Sequence, residues 1–321
     1  MDIADEEIDS GRYVFPDVFA VYEFLKSKGW NIGWYAGPYF EVMQLEDNSV
    51  VASPTPFTPL YRGQTRVYKN CIPSFCRRTY SDLEKIERDI QFNDFKNILN
   101  DNPEIKDLLK GELKVNYLGL AQHYGIETNI IDLTNSFGVA AFFATSDYNP
   151  LTDSYIPVTE VMRQGVIYFL PTGMFSFTPE DKTDKICPIG LEALARPGEQ
   201  RAFGAYVNEG RDLRDFGCMR FYFWQSPAAS FECFKRMNFG KTLFPYDPMV
   251  EKVKAIRKYR IYGKDSLRKS LEDNNHLNLD FDSALEALTK GGCCFLDSTP
   301  FRYTEDELLY LRKQYQQRYS N

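Results

Sequence analysis

One stretch of the chain, residues 118–145, constrains the fold most, because it is strongly apolar and still carries a dense set of polar groups. Its pattern predicts a helix that ends at Gly125, followed by the short buried strand "NIIDL". An apolar helix then begins at the capping residues 134–136. The succession of helix, strand and helix predicts a domain that mixes α and β structure.

Several polar residues of this stretch are candidates for a site. They are Gln122, His123, Tyr124, Asp132 and Thr134. The chain has two histidines, so a three-histidine metal site is impossible and His123 is worth weighing as a catalytic group. The start of a helix beside the end of a strand favours an anion, because its free N–H groups point outward. The segment 134–136 therefore predicts an anion site.

The same residues also have structural interpretations. His123 could be a hydrogen-bonded core histidine, and Asp132 could accept hydrogen bonds from the backbone or from Arg62. Residues 134–136 could simply cap the helix. The adjacent pair Phe142 and Phe143 is assigned to the core.

A second stretch, Tyr61-Arg62-Gly63-Gln64, places an arginine at the start of a predicted strand. A guanidinium binds phosphate or carboxylate through two parallel hydrogen bonds, and a glycine beside it allows close approach of a ligand. These four residues therefore predict a binding site. The alternative is a buried ion pair between Arg62 and Asp132 that organises the core. Both interpretations require that Arg62 is not freely solvated.

Composition limits the classes of function. The net charge of −7 and the pI of about 5.2 argue against binding nucleic acid through bulk charge, although a local basic groove stays open. Seven cysteines without two close pairs argue against a zinc site, so no metal is expected. The longest apolar stretch, residues 137–144, is too short to span a bilayer. We expect a reduced, cytoplasmic protein that does not enter a membrane.

The expected organisation has three parts. Residues 1–56 form an N-terminal extension with a helix and a strand, and residues 249–321 form a helical part that packs on the core. The core, residues 57–248, is expected to be an α+β domain with a mixed or antiparallel sheet flanked by helices. Capping boxes predict helices after Ser81 and Thr304. The proline-rich segment 51–61 is interpreted as an extended connection.

Two blocks of sequence together resemble the FRG domain family. The first block is Tyr61-Arg62-Gly63-Gln64 with Pro73, Ser74 and Arg77, and the second is "QHYGIETNIIDLTNSFGVAAFFA". Weaker matches are "GVIYFL" and the pair Arg196 and Gln200. The resemblance spans residues 57–290, and it implies that the core is an FRG domain.

A Tyr-Arg-Gly motif on a strand is also similar to the first-strand motif of arginine-type ADP-ribosyltransferases. In those enzymes the arginine contacts the diphosphate of NAD, and a glutamate stands on a late strand. This similarity implies an ADP-ribosyltransferase-like fold and NAD as the substrate. Glu199 and Gln200 lie in the right region for the late element, Glu192 is a further candidate, and Asp132 could replace the missing carboxylate.

The resemblance implies the following roles. The catalytic residues would be His123, Glu199 and Gln200, and NAD would be bound by Tyr61, Arg62, Gly63, Gln64, Gln122, Tyr124, Asp132 and Thr134. The implied activity is that of an NAD-dependent ADP-ribosyltransferase or NAD glycohydrolase, acting as a bacterial toxin or anti-phage defence effector. Its partner would be a protein or nucleic-acid acceptor, or a regulatory protein. The alternatives are a non-catalytic nucleotide or nucleic-acid-binding module, a hydrolase or nuclease that uses His123 and Asp132, and an interaction scaffold.

Overall fold

The chain folds around a six-stranded antiparallel sheet that is flanked by helices and followed by a helical C-terminal part. The computed structural model describes residues 7–8, 11–30, 32–35, 41–44, 50–53, 58–110, 114–171, 186–189, 194–208, 210–274, 277 and 279–319. The predicted α+β class and the antiparallel sheet are confirmed.

The elements are numbered here in chain order. The strands are β1 (Glu41–Gln44), β2 (Val50–Ser53), β3 (Pro59–Gln64), β4 (Ile130–Thr134), β5 (Ser146–Asn149), β6 (Ser154–Pro157), β7 (Gln164–Pro171), β8 (Ile186–Pro188), β9 (Ala202–Tyr206), β10 (Met219–Trp224), β11 (Ile261–Gly263) and β12 (Cys294–Leu296). The α-helices are α1 (Val18–Ser27), α2 (Asp82–Leu99), α3 (Pro103–Lys110), α4 (Tyr117–His123), α5 (Phe137–Thr145), α6 (Ala195–Glu199), α7 (Pro227–Arg236), α8 (Pro248–Tyr259), α9 (Lys264–Asp273), α10 (Phe281–Lys290) and α11 (Glu305–Tyr319). Short 3₁₀ turns occupy Ser74–Arg77, Leu213–Phe216 and Asn238–Gly240.

The order of strands in the main sheet is β10-β7-β3-β4-β9-β8, so β3 and β4 lie at its centre. Strand β3 carries the Tyr-Arg-Gly motif and pairs along its whole length with β7, with Arg62 opposite Tyr168. At Tyr61 it also pairs with Thr134 of β4. Because neighbouring strands lie about 4.8 Å apart, this register brings Arg62 beside the backbone of β4.

Helix α5 lies directly on strand β3. Eight of its nine residues are buried, as expected for a helix that is apolar on every side. A Cβ atom on Gly63 would lie 1.9 Å from the carbonyl oxygen of Ala140 and 2.8 Å from the amide nitrogen of Ala144. The helix therefore requires a glycine at this position, and the close approach of a ligand to Gly63 stays a prediction.

Capping residues set several of the helix starts. Asp17 caps α1, and Ser81 with Glu84 forms the predicted capping box at α2. Thr304 and Glu307 exchange the same pair of hydrogen bonds at α11. The proline-rich segment differs from its prediction, because Val50–Ser53 is a strand paired with β1 and β3 begins at Pro59.

The C-terminal helices pack against α2. Ile86 and Ile90 of α2 share one hydrophobic cluster with Met249, Leu267 and Leu288. At the edge of this cluster, the Arg260 guanidinium donates two hydrogen bonds of 2.8 Å to the Glu87 carboxylate. These contacts agree with the predicted packing, whereas the three boundaries drawn from the sequence stay predictions.

Two further findings concern membrane crossing and disulfide bonds. No helix among the described residues combines the length and the apolar character that crossing a membrane requires. None of the seven cysteines, which all lie among the described residues, forms a disulfide bond.

The contact of α5 with β3 can be tested with Gly63→Ala. The added methyl group meets backbone on the helix, which cannot rotate away, so we expect a loss of roughly 3 kcal/mol in the free energy of unfolding. Urea denaturation of the variant measures this loss.

The matched control is Gly291→Ala at the end of α10, where the new Cβ would lie 3.2 Å from its nearest neighbour. The control should lose clearly less stability than Gly63→Ala, because its tightest contact would be 3.2 Å rather than 1.9 Å. Equal stabilities for the two variants would contradict the packing described.

Candidate functional site

A cleft of about 770 Å³ opens beside the central strands β3 and β4. Most of the residues predicted for the site line it. They are Tyr61, Arg62, Gly63, Gln64, His123, Asp132, Thr134 and Gln200. These residues come from four separate parts of the chain, so their convergence is a property of the fold and not of local sequence.

Three predicted residues do not line the cleft. The Tyr124 hydroxyl is buried and donates a short hydrogen bond to the Asp247 carboxylate, and burial raises its pKa well above the ordinary value. Gln122 accepts a hydrogen bond from Thr128 and donates one of 3.4 Å to Asp132. It therefore contacts a residue of the cleft without lining the cleft itself. Glu199 is exposed. Glu192 lies outside the described residues.

Arg62 is held by main chain and not by an acid. Its Nη1 donates a 2.7 Å hydrogen bond to the carbonyl oxygen of Asp132, and its buried Nε has no hydrogen-bond partner among the described residues. The alternative interpretation, an ion pair between Arg62 and the Asp132 carboxylate, is therefore wrong, because the strand register presents the carbonyl to the guanidinium. Among the described residues, Arg62 has no carboxylate partner.

His123 is oriented by a chain of hydrogen bonds. Its Nδ1 lies 3.1 Å from Oε1 of Gln200, and Nε2 of Gln200 donates a 3.0 Å bond to the carbonyl oxygen of Leu243. A carbonyl oxygen can only accept, so the Gln200 amide must direct its oxygen toward His123. Nδ1 of His123 therefore carries the proton of the neutral ring.

The other ring nitrogen of His123 faces a carboxylate. Nε2 lies 3.7 Å from Oδ1 of Asp132, and both atoms are buried without a hydrogen-bond partner among the described residues. Burial lowers the pKa of His123, against the opposing effects of the Asp132 charge and of the Gln200 hydrogen bond. The neutral ring and the carboxylate therefore present two unsatisfied acceptors to each other.

The cleft also contains exposed cations. Lys69 and Arg77 lie on the segment that leaves β3, and both side chains reach its wall. The lining carboxylate Asp147 is already neutralised, since the buried Arg163 donates bonds of 2.7 and 2.6 Å to it and lowers its pKa. One wall of the cleft is consequently positive.

Aromatic rings form another part of the wall, and no motif of the sequence predicted which ones. Phe143 lines the cleft and also packs against the hydrophobic cluster that contains Phe142. Tyr148 and Tyr155 also line it, from paired positions of the β5–β6 hairpin. Burial raises the pKa of Tyr155 to about 12. The Asn149-Pro150 turn between two short runs of β-type residues is the signal that could have found this hairpin.

The predicted anion site at the start of α5 is wrong. The Gly138 N–H donates to the carbonyl oxygen of Trp34, and the Val139 N–H donates to the Ser136 hydroxyl. The Thr134 hydroxyl donates a 2.8 Å bond to the carbonyl oxygen of Gln200. Residues 134–136 therefore cap helix α5 and join the end of β4 to the segment around Gln200 by hydrogen bonds.

Residues 58–152 match the family model of the FRG domain. The chain contains an FRG domain. The match begins just before β3 and ends in the β5–β6 hairpin, so it includes Arg62, His123 and Asp132, whereas Gln200 lies beyond it. No curated protein and no solved structure matches the chain significantly. The predicted family is confirmed, and the similarity to ADP-ribosyltransferases stays a prediction.

The described part of the chain contains no group of three His, Cys, Asp or Glu side chains placed to hold a metal ion.

The protonation state of His123 gives a direct test of this geometry. Burial should hold its pKa below the ordinary value of about 6.5, so folding favours the neutral ring. The stability that this preference contributes is complete above the unfolded pKa and is lost as the pH falls toward the folded pKa. An NMR titration of the ring measures the pKa, and a His276→Gln variant assigns the signal, because the chain has two histidines.

Asp132→Asn is the companion variant for this titration. The Asp132 charge raises the pKa of His123, so its removal should lower that pKa further. A wild-type pKa at or above the ordinary value, or a rise in the variant, would contradict the arrangement.

Proposed function

We propose that the cleft of this FRG protein binds NAD and cleaves its nicotinamide–ribose bond, as an ADP-ribosyltransferase or an NAD glycohydrolase. The observation that carries the proposal is the meeting in one cleft of an arginine without an acidic partner and a carboxylate oxygen without a donor. These are Arg62, among the described residues, and Oδ1 of Asp132. A ligand that suits both must combine anionic groups with hydroxyl groups, as a dinucleotide does.

The cationic wall suits a diphosphate. The N–H groups of Arg62 that remain free can bind one phosphate through parallel hydrogen bonds. Lys69 and Arg77 add positive charge beside the same cleft. Three cations exceed what a single carboxylate requires, which favours a ligand with more than one negative charge.

The chemical step would depend on the carboxylate. Cleavage of the nicotinamide–ribose bond passes through a state with oxocarbenium character, which a nearby negative charge stabilises. Asp132 fits this role, since Asp147, the other described carboxylate of the wall, is bound by Arg163. Tyr148 and Tyr155 would offer ring faces to the nicotinamide or the adenine.

The acceptor decides the biological outcome. Water as the acceptor would make the protein an NAD glycohydrolase, and a protein or nucleic acid would make it an ADP-ribosyltransferase. Both reactions consume NAD, and ADP-ribosyl transfer also modifies a cellular target. Either effect would allow the enzyme to serve as a toxin or an anti-phage effector. A regulatory partner protein would then restrain it.

The central test follows free nicotinamide during incubation of the purified protein with NAD, with and without cell lysate or nucleic acid. Arg62→Ala removes the charged hydrogen bonds to phosphate, and we expect at least about a tenfold loss in the rate at limiting NAD. Arg66→Ala is the matched control, because Arg66 is exposed and pairs with Glu160. Its rate should equal that of the wild type. Equal rates for both variants would remove Arg62 from the site.

One observation favours a second function, that of a non-catalytic module for nucleotides or nucleic acid. The predicted catalytic acid Glu199 is exposed and does not line the cleft. A module of this kind would use the same cationic wall without a competent acid. A rise in melting temperature with NAD or oligonucleotides, without nicotinamide release under any condition, would favour the module over the enzyme.

A further inference from the structure

We infer that His123 and Asp132 act together as an acceptor pair for the two adjacent hydroxyl groups of a ribose, and that Gln200 is the positioning residue that sets the tautomer of His123. This inference rests on the proposed function and deepens it. It assigns to the cleft a preference for ribonucleotides over deoxyribonucleotides.

The tautomer follows from the hydrogen bonds of Gln200. The carbonyl oxygen of Leu243 accepts from Nε2 of Gln200, so Oε1 of Gln200 accepts from Nδ1 of His123. The lone pair of the neutral imidazole is thereby placed on Nε2, which is buried and lies in a side chain only 6% exposed. Gln200 touches His123 and acts on a ligand through it.

The two atoms of the acceptor pair can each accept a hydrogen bond from a ligand. Two acceptors 3.7 Å apart cannot bond to each other, and leaving both buried without a donor costs free energy. Adjacent hydroxyl groups on a furanose ring lie within a hydrogen-bond length of one another. One hydroxyl can therefore donate to Nε2 of His123 while its neighbour donates to Oδ1 of Asp132.

A cation is a poorer occupant of this position. The guanidinium of Arg62 binds the main-chain carbonyl of Asp132, and the charge of Arg196 also acts on His123. Both positive groups oppose another cation there. They do not oppose a neutral sugar, and Arg62 favours a sugar that carries phosphate.

The first experiment determines the tautomer in the free protein at pH 8, from the ¹⁵N shifts of the two ring nitrogens. We expect the proton on Nδ1 of His123 in the wild type. Gln200→Leu removes the acceptor for Nδ1 and should move the proton to Nε2. A proton on Nε2 in the wild type overturns the inference, and so does an unchanged tautomer in Gln200→Leu.

The second experiment measures the affinity of the full chain for AMP, 2′-deoxy-AMP and 3′-deoxy-AMP by calorimetry at pH 8. Each deoxy analogue leaves one buried acceptor without a donor, so we expect AMP to bind at least about tenfold more tightly than either analogue. Gln200→Leu should reduce this preference toward equal affinities.

The outcomes separate the inference from the proposed function. In one outcome, the wild type binds the three nucleotides equally while Arg62→Ala binds them more weakly. That result overturns the acceptor pair and leaves the nucleotide-binding site in place. A preference that survives in Gln200→Leu overturns the role of Gln200. Failure to bind any of the three nucleotides overturns the acceptor pair, and the nicotinamide assay decides separately whether NAD chemistry stands.

Discussion

The contact between helix α5 and strand β3 is the constraint on which the rest of the structure depends. The helix rests on the strand with no side chain between them at Gly63, where its own backbone occupies the space that a methyl group would need. This places the middle and last turn of α5 against β3, while the end of β4, which precedes the helix, pairs with the Tyr-Arg-Gly motif. The cleft is thus bordered by elements that cannot move apart without opening the core.

The chemical character of the cleft comes from unsatisfied groups. One N–H of Arg62 donates a hydrogen bond to a main-chain oxygen. No carboxylate among the described residues pairs with its positive charge. His123 and Asp132 each leave one buried acceptor without a donor. Folded proteins satisfy most of their buried polar atoms, so a cluster of exceptions at one cleft is a stronger pointer to a ligand than any one of these residues.

The sequence predicted the elements and part of the site, for identifiable reasons. Caps such as Ser81 act locally, so their patterns can be interpreted without a fold. Consecutive helical residues point in directions about 100° apart, so Gln122, His123 and Tyr124 could not all face one cleft, and His123 alone lines it. Every residue has a main-chain carbonyl, so the sequence does not show that the carbonyl of Leu243 accepts a hydrogen bond from Gln200. The orientation of His123 by Gln200 could therefore not be predicted.

The hydrogen bonds that orient His123 extend beyond the segment that matches the FRG family model. The part of the chain that matches the FRG family ends at residue 152, yet the proton on His123 is directed by Gln200 and, behind it, by Leu243. The matched segment 58–152 therefore contains the imidazole but not the side chain that orients its proton. A substitution at position 200 that removes the acceptor for Nδ1 would turn Nε2 of His123 from an acceptor into a donor. The ligand preference of the cleft can thus change without any change in the matched segment.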